Sequence, residues 1–243
     1  MDRRKKSLFS IIIKFLIFLF ATAGILLYVL PAGGFISESK IFFKFFTAQS
    51  VALMGLSSFI LAIKQTKAFK AGRYELAHTD EIFHLVLTVS VTLAGMIFCF
   101  LLLPAFLSEN PGSAKMMLTP SQTILHVVVP VLSVFDFLAF TRPTTYTFSK
   151  RDILWSVIPP LYYLGFSRVG YVLNWNFGGG KNYPYFFLNY ASPVGFFGFT
   201  GNPPYFMGVF WWLLAILALV ILISLLYTAI VNKAVKRYNE KLI

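Results

Sequence analysis

The sequence predicts an all-α, polytopic membrane bundle of six spanning helices with both termini cytoplasmic, forming a single integral membrane domain over residues 1–243. Three observations predict it. With 58% hydrophobic side chains, 12% charged ones and a mean hydropathy of +0.75, the composition lies far outside that of water-soluble domains. Six apolar stretches reach the roughly 20 residues that a helix needs to cross a bilayer. Basic residues alternate between the loops, and this sets the direction of the chain.

The stretches cover residues 9–30, 42–63, 82–106, 121–141, 153–173 and 205–231. Turn and cap residues separate them, as in Pro31-Ala32-Gly33-Gly34 and Ser108-Glu109-Asn110-Pro111-Gly112. Basic residues gather before helix 1 (Arg3, Arg4, Lys5, Lys6), between helices 2 and 3 (Lys64, Lys67, Lys70, Arg73), between helices 4 and 5 (Arg142, Lys150, Arg151) and after helix 6 (Lys233, Lys236, Arg237, Lys241). The alternate loops hold only Lys40, Lys115 and Lys181, so the basic loops face the cytoplasm. The net charge of +12 is thereby assigned to membrane flanks, and no nucleic-acid partner is expected.

In helix 1, the basic start followed by Ala21-Thr22-Ala23 imitates a cleavable leader, but the apolar run continues to Leu30 and suits a retained anchor. Lys14 is expected to snorkel to the inner headgroups. Helix 2 carries Thr47, Ser50, Met54, Ser57 and Ser58 on one face, and helix 3 carries Thr88, Thr92, Gly95 and Cys99. Spacings of three and four make these small, polar stripes of the kind along which membrane helices approach, and the two are expected to meet. The lone Cys99 has no disulfide partner. Asp80 or Thr79 reads as the N-cap of helix 3. In helix 4, Pro130 deprives the His126 carbonyl of its helical donor, and in helix 5 Pro159-Pro160 does the same to Trp155 and Ser156. Helix 6 is almost wholly apolar and is expected to face lipid, with Trp211, Trp212 and Tyr227 in the interfacial belts. The aromatic segment 174–204 is long enough to be a lid or entrance on the outer face.

Ionisable groups inside spans are costly and point to function. His126 and Thr47 each lie about five residues from the outer ends of their helices, roughly 7–8 Å deep at 1.5 Å per residue. Arg168 falls in the same outer layer. Asp136 lies about ten residues deeper, where Arg142 or a helix kink offers it a structural role. His78, Asp80, Glu81 and His84 do not have zinc-enzyme spacing. Gly178-Gly179-Gly180 lacks the lysine and hydroxyl of a phosphate loop and reads as a flexible turn. His84 and His126 lie at opposite depths and so do not read as a haem pair. No metal or other cofactor is expected.

Phe45-Phe46-Thr47-Ala48-Gln49-Ser50, Leu125-His126 with Pro130 and Asp136, and Asn182-Tyr183-Pro184-Tyr185-Phe186-Phe187-Leu188 together resemble the bacterial Pr6Pr membrane proteins. Those are similar in turn to the androgen-induced-gene/FAR-17a family of multi-span threonine hydrolases. The resemblance implies a bacterial plasma membrane and the cleavage of lipid esters, including fatty-acid esters of hydroxy fatty acids, by a threonine that maps to Thr47 and a histidine that maps to His126. In the loop, Phe186 stands where the bacterial pattern has a second proline, and Asn189 where it has an acid.

Chemically, an alcohol nucleophile needs a base within hydrogen-bond reach and donors for the developing oxyanion. Gln49, Ser50, Arg168, Tyr171 and Tyr185 are the candidate substrate-binding or oxyanion groups. The reading is a lipid-ester hydrolase or acyltransferase acting on membrane lipids or fatty-acyl esters. Two alternatives are a non-catalytic membrane scaffold, and a small-solute transporter whose path Arg168 and Asp136 would line.

Overall fold

Five of the six apolar stretches form unbroken helical segments long and apolar enough to cross a membrane. The computed structural model describes residues 3–31, 42–109, 112, 114–141, 146–200 and 206–240. Helices α1 (Arg3–Val29) and α2 (Phe46–Lys70) are followed by α3 (His78–Ser108), α4 (Pro120–Phe140) and, last in the chain, α6 (Val209–Asn239). The fifth stretch is not one smooth helix. It runs as α5a (Lys150–Leu154), a 3-10 turn (Trp155–Val157) and α5b (Ile158–Val172), because Pro159 and Pro160 cannot supply the donors that a continuous helix requires at that point.

Several boundaries differ from expectation, each for a local reason. Helix α3 begins at His78 after Ala77, which offers no side-chain cap, so Thr79 and Asp80 lie inside its first turn. There Asp80 and Glu81 oppose the positive helix end, and Asp80 pairs with Lys64 at 2.6 Å. Helix α5a starts with a full capping box in which Ser149 and Asp152 exchange hydrogen bonds. Thr119 caps α4 by accepting from the Gln122 backbone N–H at 3.3 Å.

Helices α3 and α4 occupy the middle. One apolar core joins them to α1 and α2 through Ile17, Val51, Met54, Val91 and Leu125. A second joins them to α6 and the 174–200 segment through Leu93, Phe137, Phe187, Trp212 and Val220. The most extensive pairing is α1 with α2, where Gly55 meets Ala21 so closely that an added Cβ would lie 2.8 Å from the alanine's.

Although α2 and α3 pack together, part of the small face of α3 meets other helices. Gly95 turns to α4, and Thr92 meets Tyr227 of α6 at 3.1 Å. Tyr227 and Trp212 are therefore buried packing residues rather than members of an interfacial belt. On the outside, Leu19 (58% exposed), Leu56 (55%), Val131 (60%) and Leu222 (62%) present a hydrocarbon surface that only lipid can solvate.

The start of α1 and the last turns of α6 lie at one end of the bundle with the 71–77 and 146–149 connections, as the Arg3–Glu75 ion pair (3.5 Å) and the Phe148–Asn232 hydrogen bonds require. This basic end carries Arg3, Lys70, Lys150 and Lys236. At the opposite, far end the 174–200 segment packs on α2 through Tyr185 and on α6 through Phe187. Three successive left-handed residues, Gly178, Gly179 and Gly180, make its tightest bend, a backbone course open to glycine alone. Residues 32–41, 142–145 and 201–205 lie outside the described set, and with them Lys40, Arg142 and part of the predicted outer loop.

Candidate functional site

Under the 174–200 segment lies a cavity of about 420 Å³ whose walls include Thr47, Gln122, His126, Lys181, Tyr183 and Tyr185, with Phe45, Phe98 and Leu125 supplying apolar surface. Thr47 and His126, from α2 and α4, thus face one chamber.

His126 is placed by a widened helical turn. Residues Ile124–Val128 form a π-turn in which the Val129 N–H reaches back five residues to the Ile124 carbonyl. Pro130 follows directly and cannot donate to His126. Helix α3 repeats the device at Phe98–Leu102, where Leu103 bonds to the Phe98 carbonyl and Pro104 follows. Such turns recur at functional sites because they rotate side chains out of helical register. The two turns face each other, and Phe98 stacks on the His126 ring at 3.9 Å with planes 20° apart. The His126 carbonyl rests on Gly95, where a Cβ would come within 2.6 Å of it. Only a glycine there lets α3 approach.

His126 Nδ1 lies 3.0 Å from the Gln122 carbonyl oxygen. A carbonyl only accepts, so Nδ1 carries the proton and Nε2 is left as the ring's acceptor. The main chain thereby orients this base, a role that a carboxylate fills in serine-type triads.

Thr47 stands in the first turn of α2, which begins at Phe46 and not at residue 42 as the apolar run predicted. Backbone N–H groups in a first turn have no carbonyl four residues back and carry the positive end of the helix dipole. The Tyr185 hydroxyl accepts from the Phe46 N–H at 3.1 Å and hydrogen-bonds the Thr47 side chain. Burial pushes the Tyr185 phenol up to about 12, against the opposing pull of its hydrogen bonds to Thr47 and Phe46. It stays a neutral hydroxyl at ordinary pH. Tyr163 supports this corner by donating to the Lys44 carbonyl at 2.9 Å. Lys44 itself, which lay within a predicted span, ties the 174–200 segment to the start of α2 by donating to the Asn176 carbonyl at 2.8 Å.

The other predicted groups do not join them. Arg168 is exposed and sits over the rings of Tyr190 (4.7 Å) and Tyr171 (5.3 Å), outside the cavity walls. Gln49 donates to the Phe43 carbonyl at 2.8 Å, and neither it nor the buried Ser50 lines the cavity. Of the oxyanion candidates Tyr185 alone is in place.

Gln122 and Lys181 line the cavity without having been foreseen. Lys181 carried a signal, as one of very few cations between the basic clusters. A larger surprise lies at the basic end. Lys14 does not snorkel but is buried against Asp136 at 2.6 Å, with His84 Nε2 at 3.4 Å from the same carboxylate oxygen. Asp136 thus has partners on α1 and α3. Among the described residues no cluster of three or more His, Cys, Asp or Glu side chains is arranged to hold a metal ion.

Comparison of the chain with models of known protein families, with curated proteins and with solved structures gave no match. The composition and five spanning helices define an integral membrane protein built as an all-α bundle.

Proposed function

We propose that the far-end cavity is the active site of an intramembrane lipid-ester hydrolase or acyltransferase, with Thr47 as nucleophile and His126 as general base. The observation that carries the reading is the convergence of these two residues from α2 and α4 on one covered chamber with largely apolar walls. The family resemblance noted in the sequence pairs the same two residues.

In the proposed reaction His126 Nε2 takes the Thr47 hydroxyl proton as the oxygen attacks the ester carbonyl, and the resulting imidazolium returns a proton to the leaving alcohol. The acyl-threonine is then resolved by water, or by a second alcohol in acyl transfer. The Tyr185 hydroxyl, held in place by the Phe46 N–H, is the proposed donor to the developing oxyanion. Apolar walls hold the acyl chain and strengthen these hydrogen bonds by excluding water. By the distribution of basic residues the far end faces the outer leaflet and both termini are cytoplasmic, in a bacterial plasma membrane.

The test offers purified protein in detergent a panel of long-chain lipid esters, with Thr47→Ala, Thr47→Ser and His126→Ala beside the wild type. Loss of a general base or nucleophile is expected to cost about 100-fold or more in turnover, and Thr47→Ser is expected to retain part of it. Activity that survives in both alanine variants would overturn the assignment.

A further inference from the structure

The basic end holds a second polar centre that ester chemistry does not use. Four helices build it. Lys14 of α1 contacts Asp136 of α4 at 2.6 Å, and Ser10 donates to the other Asp136 oxygen at 2.7 Å while accepting from Lys14 at 2.6 Å. Gln65 of α2 donates to Ser7 at 3.3 Å. From α3, His84 directs Nε2 toward Asp136 at 3.4 Å and Nδ1 toward Glu81 at 3.7 Å. Thr141 donates to Glu81 at 3.2 Å. Lys14, His84 and Asp136 are at most 3% exposed.

His84 decides what the centre does. Each ring nitrogen faces a carboxylate oxygen, and neither makes a hydrogen bond of good geometry. A neutral imidazole has one N–H, so it would turn a bare lone pair toward one of the two carboxylates. A cationic ring offers N–H to both. With Lys14 and both carboxylates ionised, the neutral ring leaves the centre one negative charge in excess, and one added proton cancels it. An unbalanced charge at this depth is costly, so the balance favours the bound proton.

We propose that Glu81, His84 and Asp136 form a proton-binding site that takes up one proton from water at the basic end, with Lys14 as its fixed countercharge. A route is visible. His78, one turn before Glu81, is 41% exposed and close to Asp152, and it packs on Tyr146 at 4.1 Å. The Tyr146 hydroxyl is buried beside Glu81 without a hydrogen-bond partner among the described residues. Proton binding here forms an N–H bond at the expense of hydronium and changes no other covalent bond.

The test is nitrogen NMR of ring-labelled histidine in the full chain, reconstituted in bilayers at neutral pH. The signal of His84, one of three histidines, is assigned by its loss in His84→Gln, with His78 kept in place. A cationic ring is expected, whose N–H signal disappears on transfer to deuterated water. Glu81→Gln removes one negative charge and is expected to convert the ring to the neutral form. Lys14→Met removes a positive charge and is expected to keep the ring cationic while a protonated carboxyl appears in the infrared spectrum. If Lys14→Met fails to fold, the wild-type and Glu81→Gln spectra decide alone. A neutral ring in wild type, a ring state indifferent to Glu81→Gln, or an N–H that persists for hours in deuterated water would each overturn the proposal.

Discussion

Tyr185 makes the strongest residue-scale link between packing and chemistry, because one hydroxyl both caps α2 and touches the proposed nucleophile. Its folded phenol titrates near 12 against an ordinary 10.0. A raised value means that the fold favours the neutral form, so the stabilisation is intact below pH 10 and lost as pH rises toward 12. Alkaline unfolding followed by circular dichroism should therefore show the stability difference between wild type and Tyr185→Phe shrinking across that window. Parallel curves would mean that the phenol does not titrate with unfolding. Other residues show where sequence reasoning stopped. Lys14 and Asp136 were both visible as ionisable groups within apolar runs, but they are 122 positions apart in the chain, and nothing in either run names its partner. His84 was assigned to the cytoplasmic side because α3 was taken to begin at residue 82, which puts His84 in its first turn. The four residues by which the predicted start, residue 82, misses His78 are more than a helical turn, enough to carry His84 from the surface to the bundle interior.

At the scale of elements, proline does more than kink. Pro104 and Pro130 each follow a π-turn, and the turns face one another across the Phe98–His126 stack. A lost donor was legible from Pro130, whereas the wider turn that absorbs it depends on the close approach of α3 at Gly95. Gly95→Ala sets a methyl 2.6 Å from the His126 carbonyl oxygen, so the helices must separate. The expected cost is about 1–3 kcal/mol, typical of overpacking, read as a lower thermal midpoint in detergent, together with reduced ester turnover as His126 moves. A variant of unchanged midpoint would show that α3 and α4 do not approach this closely in the membrane. The fifth stretch gives the complementary lesson, since its length and composition matched a span while Pro159-Pro160 divided it into two helices.

For the whole molecule, the start of α1, the last turns of α6 and two of the described connections share one end while the 174–200 segment and the cavity occupy the other, and the direction proposed for the chain rests on charge. In a Cys99→Ser background, cysteines introduced as Ala191→Cys and Glu240→Cys report on opposite ends. A membrane-impermeant maleimide applied to intact cells is expected to label position 191 and to reach position 240 only after permeabilisation. The reverse pattern would invert the orientation and place the cavity toward the cytoplasm. The exposed leucines and valines of α1, α2, α4 and α6 belong to the same scale, because their area makes sense only with lipid as solvent.

What the sequence by itself determined is the membrane class, the helical architecture and the alternation of charged and uncharged ends. These follow from hydropathy and local charge, which add up along a segment whatever its neighbours are. Thr47 and His126 could be singled out in the same way, because polar groups in apolar runs stand out one at a time. Tertiary structure alone decided that they share a chamber, that Tyr185 and Gln122 serve it while Arg168 and Tyr171 do not, and that Lys14 meets Asp136 and His84. The physical reason is rotation about the helix axis. Neighbouring residues lie about 100° apart on a helix, so which face meets which neighbour depends on small residues, π-turns and prolines that act only once the helices are packed together.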